Sequence, residues 1–344
     1  MKKCCVLLVA MVCLMACKKT DDRASFDHEE QSKNWSEKVL SGAQNFEQSM
    51  FNFSSLTKEE NFIENTVEIN RLYDSIIVAY TEIEYLNVGI IRNDFLLTGL
   101  ASRDINAELI VQILKDVDFD INAESINQLT AKAKGIYALD YVLFATNLDA
   151  DSSRRQDYAT ALVEIIKNIS LNIRQSWQAD FANSSTDVAL SFGGFRAQML
   201  NAQLSLLEDV SNYKIGKPLG VFDGGDVQPQ TLQFYYAHKS LLALKSTLEL
   251  FEYYNTTSDY NTAKWLQSVS ESGENYGQML SEKTDVLMEE INKLDGQNLN
   301  EILVQNPEKL EAMYAASKDV LMHYKLFVLP TLGVTVTFND NDGD

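Results

Sequence analysis

A chain of 344 residues with 49 Asp and Glu against 29 Lys and Arg carries a formal charge of −20 at neutral pH, so its field repels nucleic acid and anionic headgroups. The hydrophobic fraction of 45% is that of a folded globular chain. Its four cysteines, Cys4, Cys5, Cys13 and Cys17, all fall in the leader, which removes disulfide staples, thiolate zinc sites and thiol catalysis from the rest of the chain.

The leader comes first. Lys2 and Lys3 precede an apolar run from Cys4 to Ala16, too short to span a bilayer but of the length of a secretory signal core. LMAC, residues 14 to 17, resembles a bacterial lipobox. The expectation is a signal peptide over residues 1–16, a lipidated Cys17, and an N-terminal linker over 17–30. Loss of the two lysines takes the formal charge to −22. KKTDD, directly after the anchor, resembles the signals that send lipoproteins of some Gram-negative bacteria to the cell surface. No later stretch is long and apolar enough to span a bilayer, so the lipid is the one membrane attachment the sequence offers. The expected location is the outer membrane of a Gram-negative bacterium, on its periplasmic side or at the cell surface.

Only Pro218, Pro229, Pro307 and Pro330 interrupt the chain as prolines, and long proline-free runs with apolar residues three and four apart favour helices. The pattern predicts helices near 28–54, 58–92, 102–116, 122–147, 154–182, 187–213, 229–255, 258–294 and 307–329. Residues 213–229 hold four glycines and two prolines and read as a long loop. Val334, Val336 and Phe338 alternate with threonines, a short strand signal ahead of an acidic tail. The fold class expected is all-α, two packed antiparallel helical bundles over 31–182 and 183–344 with a short C-terminal extended segment.

One residue in KGIYALDYVLF, 134–144, breaks the pattern. Asp140 falls inside the apolar stripe of Ile136, Leu139, Leu143 and Phe144. A carboxylate there needs a partner, and Tyr137, one turn back, or an Arg, Lys or His from another helix would supply it. Asp140 then either fastens two helices or marks a binding site. Of the three histidines, His28 reads as solvated, while His238 and His323 lie on or beside apolar helix stripes, where a lone histidine is more often a hydrogen-bonded core residue than a ligand.

KGIYALDYVLF, KIGKPLG and LGVTVTFNDNDGD occur in the order and at roughly the spacing of three signatures of the imelysin family, iron-regulated bacterial proteins also classed as M75-type peptidases. IIRNDFLLTG, residues 90–99, resembles a weaker fourth. The resemblance implies two helical bundles face to face with a site near their junction, built on a Gly-x-His-x-x-Glu helix motif. In this chain Gly135 matches, Tyr137 stands at the histidine position and Asp140 at the glutamate position. A phenol is a poor ligand for a divalent cation at neutral pH, so a metallopeptidase of this kind would have lost half of its helix-borne site. The candidate binding residues are therefore Gly135, Tyr137, Asp140 and His238, with no catalytic residue assigned. The cofactor stays open, iron or another divalent metal being the family's implication.

Three readings follow. The first is a lipid-anchored, non-catalytic binding component of iron or haem acquisition, with outer-membrane uptake proteins as partners and no nucleic acid. The second is a metallopeptidase with a rearranged site using Asp140 and His238. The third is a structural or interaction module with no small ligand.

Overall fold

The computed structural model describes residues 26–336 apart from 87, 94–96, 98, 101, 147, 149 and 272. The signal peptide, Cys17 and most of the linker lie outside the described residues, as do the acidic tail from 337 and part of the 90–99 match. The described residues are helical and contain no strand. Residues 334–336 are irregular, so the strand expected there is not formed over its described part, although Val334 is buried.

Two groups of helices carry the fold. In α1 (His28–Leu56), Trp35, Val39, Ala43, Phe46, Met50 and Phe53 recur at intervals of three and four and are all fully buried, the stripe a helix needs to face a core. The Asp27 side chain caps its start by accepting from the Glu30 amide. This stripe packs between α2 (Thr66–Glu84) and the long α7 (Ser152–Ser184). The short α3 (Gly89–Asn93), α4 (Ala107–Lys115), α5 (Ala123–Asn127) and α6 (Ile136–Phe144) lie against α7. The second group is built from α8 (Phe195–Asp209), α10 (Thr262–Val269), α11 (Tyr276–Asn292), α12 (Leu299–Gln305) and α13 (Glu308–His323), with the one-turn α14 (Leu329–Thr331) at its end. α9 (Ser240–Glu252) packs on α2 and on α8 and α11, joining the groups.

The predicted helices are broken more often than their periodicity shows. The 58–92 segment starts only at Thr66, behind an Asn65 cap, and its last turn becomes α3. The 258–294 segment is two helices, and 122–147 is α5, a 3-10 turn and α6. Residues 229–239 form a 3-10 turn and further turns instead of the start of a helix. α8, α9 and α13 each run directly into a π-helical turn, Val210–Gly216, Tyr253–Thr257 and Tyr324–Val328 respectively, a wide turn that holds one residue more than the α-helix.

Gly135 explains the break before α6. It sits at φ +84°, and a Cβ there would come 2.5 Å from the Leu100 carbonyl oxygen. The Ile136 amide donates to that same carbonyl at 2.9 Å, so the chain crosses the 99–100 segment backbone to backbone. Gly135→Ala is expected to lower the unfolding free energy by about 2 kcal/mol or more, through clash and left-handed strain together, as read from a urea titration.

Candidate functional site

The motif residues separate. Tyr137 and Asp140 both face inward from α6, and both are buried, but they meet different parts of the protein.

Tyr137 joins a charged network at the place where the two groups of helices meet. Its centre is Glu84, the last residue of α2, which occupies the stripe position that follows Ile77 and Tyr80. Lys214, from the π-helical turn after α8, donates to Glu84 Oε2 at 3.0 Å, and Arg103 donates to Oε1 at 2.9 Å. The Lys214 side chain is 2% exposed, and Glu84's is 8%. Arg103 also forks onto Asp209, at the end of α8, with Nη1 at 2.6 Å from Oδ1 and Nη2 at 2.7 Å from Oδ2. Gln233 Nε2 donates to the Tyr137 phenol at 2.7 Å and to Glu84 Oε1 at 3.1 Å. The Tyr137 hydroxyl donates in turn toward Glu84 Oε1 at 3.4 Å. Lys214 completes its shell on Thr247 Oγ1 at 2.9 Å, from α9, and lies 5.0 Å from the Tyr85 ring.

Two carboxylates face two cations, so the network is neutral within itself. Burial would raise the Glu84 carboxyl, but Lys214 and Arg103 outweigh it and hold it well below the usual range. Burial pulls the Lys214 ammonium down against the attraction of Glu84. Burial first and then Glu84 push the Tyr137 phenol up, so it remains a neutral donor.

Asp140 holds a turn. Its Oδ2 accepts from the Tyr236 amide at 3.0 Å, and the carboxylate is 2% exposed. Oδ1 has no hydrogen-bond partner of good geometry, although the Ala237 amide and the Tyr73 hydroxyl both pull on its proton affinity. Burial is stronger than these and pushes the carboxyl up to about 7. The turn it fastens is strained: Phe234 and His238 both have positive φ, 52° and 56°, which a side chain disfavours. Phe234 is kept there by aromatic rings, its centroid 5.2 Å from Tyr137 and 6.1 Å from both Tyr73 and Tyr80. The expectation that Asp140 would find a side-chain cation or Tyr137 is thus corrected. Its partner is backbone, because the turn of residues 232–239 aims the Tyr236 amide at it, while the Leu232, His238 and Lys239 amides bond to carbonyls nearby in the chain.

The histidines are placed differently from expectation. His238 is exposed on that turn, and its Nδ1 meets Asn300 Nδ2 at 2.8 Å; it is on no helix stripe. His28 is half-buried, with Nδ1 2.8 Å from Arg196 Nη2. His323 is buried and its Nε2 meets the Tyr276 carbonyl oxygen at 3.0 Å, a core residue as the stripe suggested.

A family model described as imelysin, Peptidase M75, matches residues 37–316. The chain belongs to the imelysin family. No curated protein matches it at a significant level. Among solved structures it is similar to an imelysin-like protein from Psychrobacter arcticum 273-4, at 16% identity over 90% of this chain and 98% of that one, with a TM-score of 0.70. It is also similar to a Parabacteroides distasonis ATCC 8503 protein named as an iron-regulated protein A precursor, at 12% identity over 88% and 95% of the two chains, with a TM-score of 0.69. At these identities the likeness shows the fold, all-α and imelysin-like.

The family's metal implication can be tested on the donor set. A cation needs lone pairs that no other charge is using. Glu84 and Asp209 are the carboxylates at the junction, and Lys214 and Arg103 donate to both of them or to one. Among the described residues no three His, Cys, Asp or Glu side chains converge so as to hold a metal ion. The residues present do not fit a resident metal at this junction.

Sequence reasoning missed Glu84, Arg103, Asp209, Lys214 and Gln233. Two of them carried a signal. Glu84 interrupts an apolar stripe as Asp140 does, and Lys214 opens the KIGKPLG signature. Glu84→Gln leaves Lys214 without its counter-ion and is expected to cost about 3–5 kcal/mol of stability, most of which Glu84→Gln with Lys214→Met should restore. Urea titrations of the three chains provide the comparison. Asp140 has the opposite sign of pH dependence from a paired acid. Its folded pKa is above the unfolded value of about 3.9, so it favours the folded state most below pH ~4, and that contribution is lost as pH rises to about 7. The Asp140→Asn chain should lack this decline when unfolding is measured across that window.

Proposed function

We propose that the protein is a lipid-anchored, non-catalytic binding component of iron or haem acquisition, held at the outer membrane through Cys17, in which the family's helix motif serves as a structural clamp. The observation that carries the non-catalytic part is the pair of cations on Glu84: Lys214 at 3.0 Å and Arg103 at 2.9 Å neutralise the carboxylate that a metal or a general base would require. Tyr137 adds a neutral donor at the histidine position, and the Asp140 carboxyl is engaged by the Tyr236 amide. A hydrolytic site needs a base or a metal-bound water within reach of substrate, and each motif residue is committed elsewhere.

Membership of the imelysin family supports the iron-related part, as does the name of the Parabacteroides relative. In this reading the junction keeps the two helix groups in one arrangement, and the ligand or the uptake partner is met on an outer surface.

The test uses the chain from Lys18 onward. Titration with ferric iron and with haem should give saturable binding that survives Asp140→Asn. An unstructured protein substrate should stay intact with or without chelator. Chelator-sensitive cleavage that Asp140→Asn abolishes would establish the peptidase reading instead, and failure to bind either iron or haem would remove the acquisition role. Labelled palmitate fed to cells should enter the wild-type chain and be absent from Cys17→Ser.

A further inference from the structure

The end of the molecule from which the linker departs has its own construction. Phe26 is the first described residue, and its ring stacks on Trp265 at 6.1 Å and 15° and meets Tyr260 edge-on at 6.5 Å. Arg196 sits beneath, 1% exposed and, among the described residues, without an acidic partner in hydrogen-bond contact. Its guanidinium lies 3.8 Å from the Trp265 ring and donates to Gln31 Oε1 at 2.8 Å, to the Val188 carbonyl at 3.2 Å and toward His28 Nδ1 at 2.8 Å. One buried cation therefore ties together the first turn of α1, the start of α8, α10 and the loop of residues 187–194.

That loop is rigidly closed. Asp187 accepts the Ala189 amide on Oδ1 at 2.9 Å and the Phe195 amide on Oδ2 at 2.7 Å, while its own carbonyl accepts from Ser32 Oγ at 2.7 Å. At its tip stands Phe192, 68% exposed, the most exposed aromatic ring among the described residues, with Val188 41% exposed on the same loop. What sets this ring apart from the exposed Phe51 and Phe222 is its place: a loop fastened to α1 at the end of the molecule from which the linker departs.

We infer that this loop is a second membrane contact: Phe192 and Val188 enter the headgroup region of the bilayer to which Cys17 is tethered. The inference rests on the lipid-anchor reading for its geometry. Eight residues separate Cys17 from Phe26, and the nine steps between the two reach at most about 30 Å when fully extended. The end of the molecule bearing Phe26, and with it the 187–194 loop, is thus confined near the lipid surface at high effective concentration. There even a small apolar insertion is favoured, since one lipid signal with a second contact anchors more firmly than either alone. The charge on the neighbouring elements selects the lipid. Asp27, Glu29 and Glu30 open α1 and Asp187 opens the loop, against Lys33 and the buried Arg196, so this surface fits a zwitterionic bilayer better than an anionic one.

The chain from Lys18 onward has no cysteine, so an introduced thiol is unique. An N-terminal hexahistidine bound to nickel-chelating phosphatidylcholine vesicles supplies the tether whether or not Cys17 is lipidated in cells. An environment-sensitive dye is placed at Ser191→Cys, beside Phe192, and as a control at Val67→Cys, 80% exposed at the start of α2, beyond the far end of α1. The dye at 191 should be quenched several-fold more by brominated lipid than the dye at 67, and the difference should disappear with Phe192→Ser and shrink as phosphatidylglycerol is added. Equal quenching at the two positions overturns the inference, as does a signal at 191 that Phe192→Ser leaves unchanged. Failure of the anchor itself is seen separately, as loss of palmitate at Cys17.

Discussion

The buried carboxylate of Glu84 is the constraint around which the junction is arranged. It ends α2, and apart from the Tyr80 hydroxyl one turn back, at 3.4 Å, what satisfies it comes from elsewhere: Lys214 from the π-helical turn after α8, Arg103 from the segment before α4, Gln233 from the turn before α9 and Tyr137 from α6. A charge removed from water is tolerated only where its lone pairs are filled. Filling them recruits one element from nearly every part of the chain. The network is therefore a condition on the relative placement of the two helix groups, and its neutrality lets it be buried at all.

Around this centre the aromatic rings have a structural task. Phe234 is held at a positive φ by Tyr73, Tyr80 and Tyr137, and Asp140 secures the same turn through the Tyr236 amide. The two polar residues of the helix motif thus serve one turn from two sides, Tyr137 by packing and by its bond with Gln233, Asp140 by its carboxylate. The strain at Phe234 and His238 is offset by tertiary contacts, which is how such backbone geometry persists. What the family motif would offer to a ligand is here directed into the protein's own backbone and side chains.

The helical class of the chain was legible because burial stripes such as Trp35, Val39, Ala43, Phe46, Met50 and Phe53 repeat at helical spacing. Breaks were less legible. QFYYAHKS, 233–240, has neither glycine nor proline, and its aromatic residues match a helix stripe as well as a turn, so its conformation is decided by the rings of α2 and α6 and by the Asp140 carboxyl. At the site, the stripe argument rightly marked Asp140 as a residue needing a partner, yet it could not see a backbone amide as that partner. Applied along the whole chain it would also have found Glu84. Arg103 sits in a polar stretch and carries no such mark, and His28 gains its neighbours because α8 brings Arg196 beneath it and α10 brings Trp265 beside it.

The π-helical turn at Val210–Gly216 has a consequence for how chains of this kind can diverge. A helix advances about 100° per residue, so the surplus residue in this turn sets the direction in which Lys214 leaves the helix. Removing one residue before Lys214 would restore an ordinary helical turn with little cost to the backbone, and would rotate the lysine away from Glu84. A one-residue length change within a helix, which sequence comparison treats as a trivial gap, is in this segment a way to open or close the junction to an outside cation.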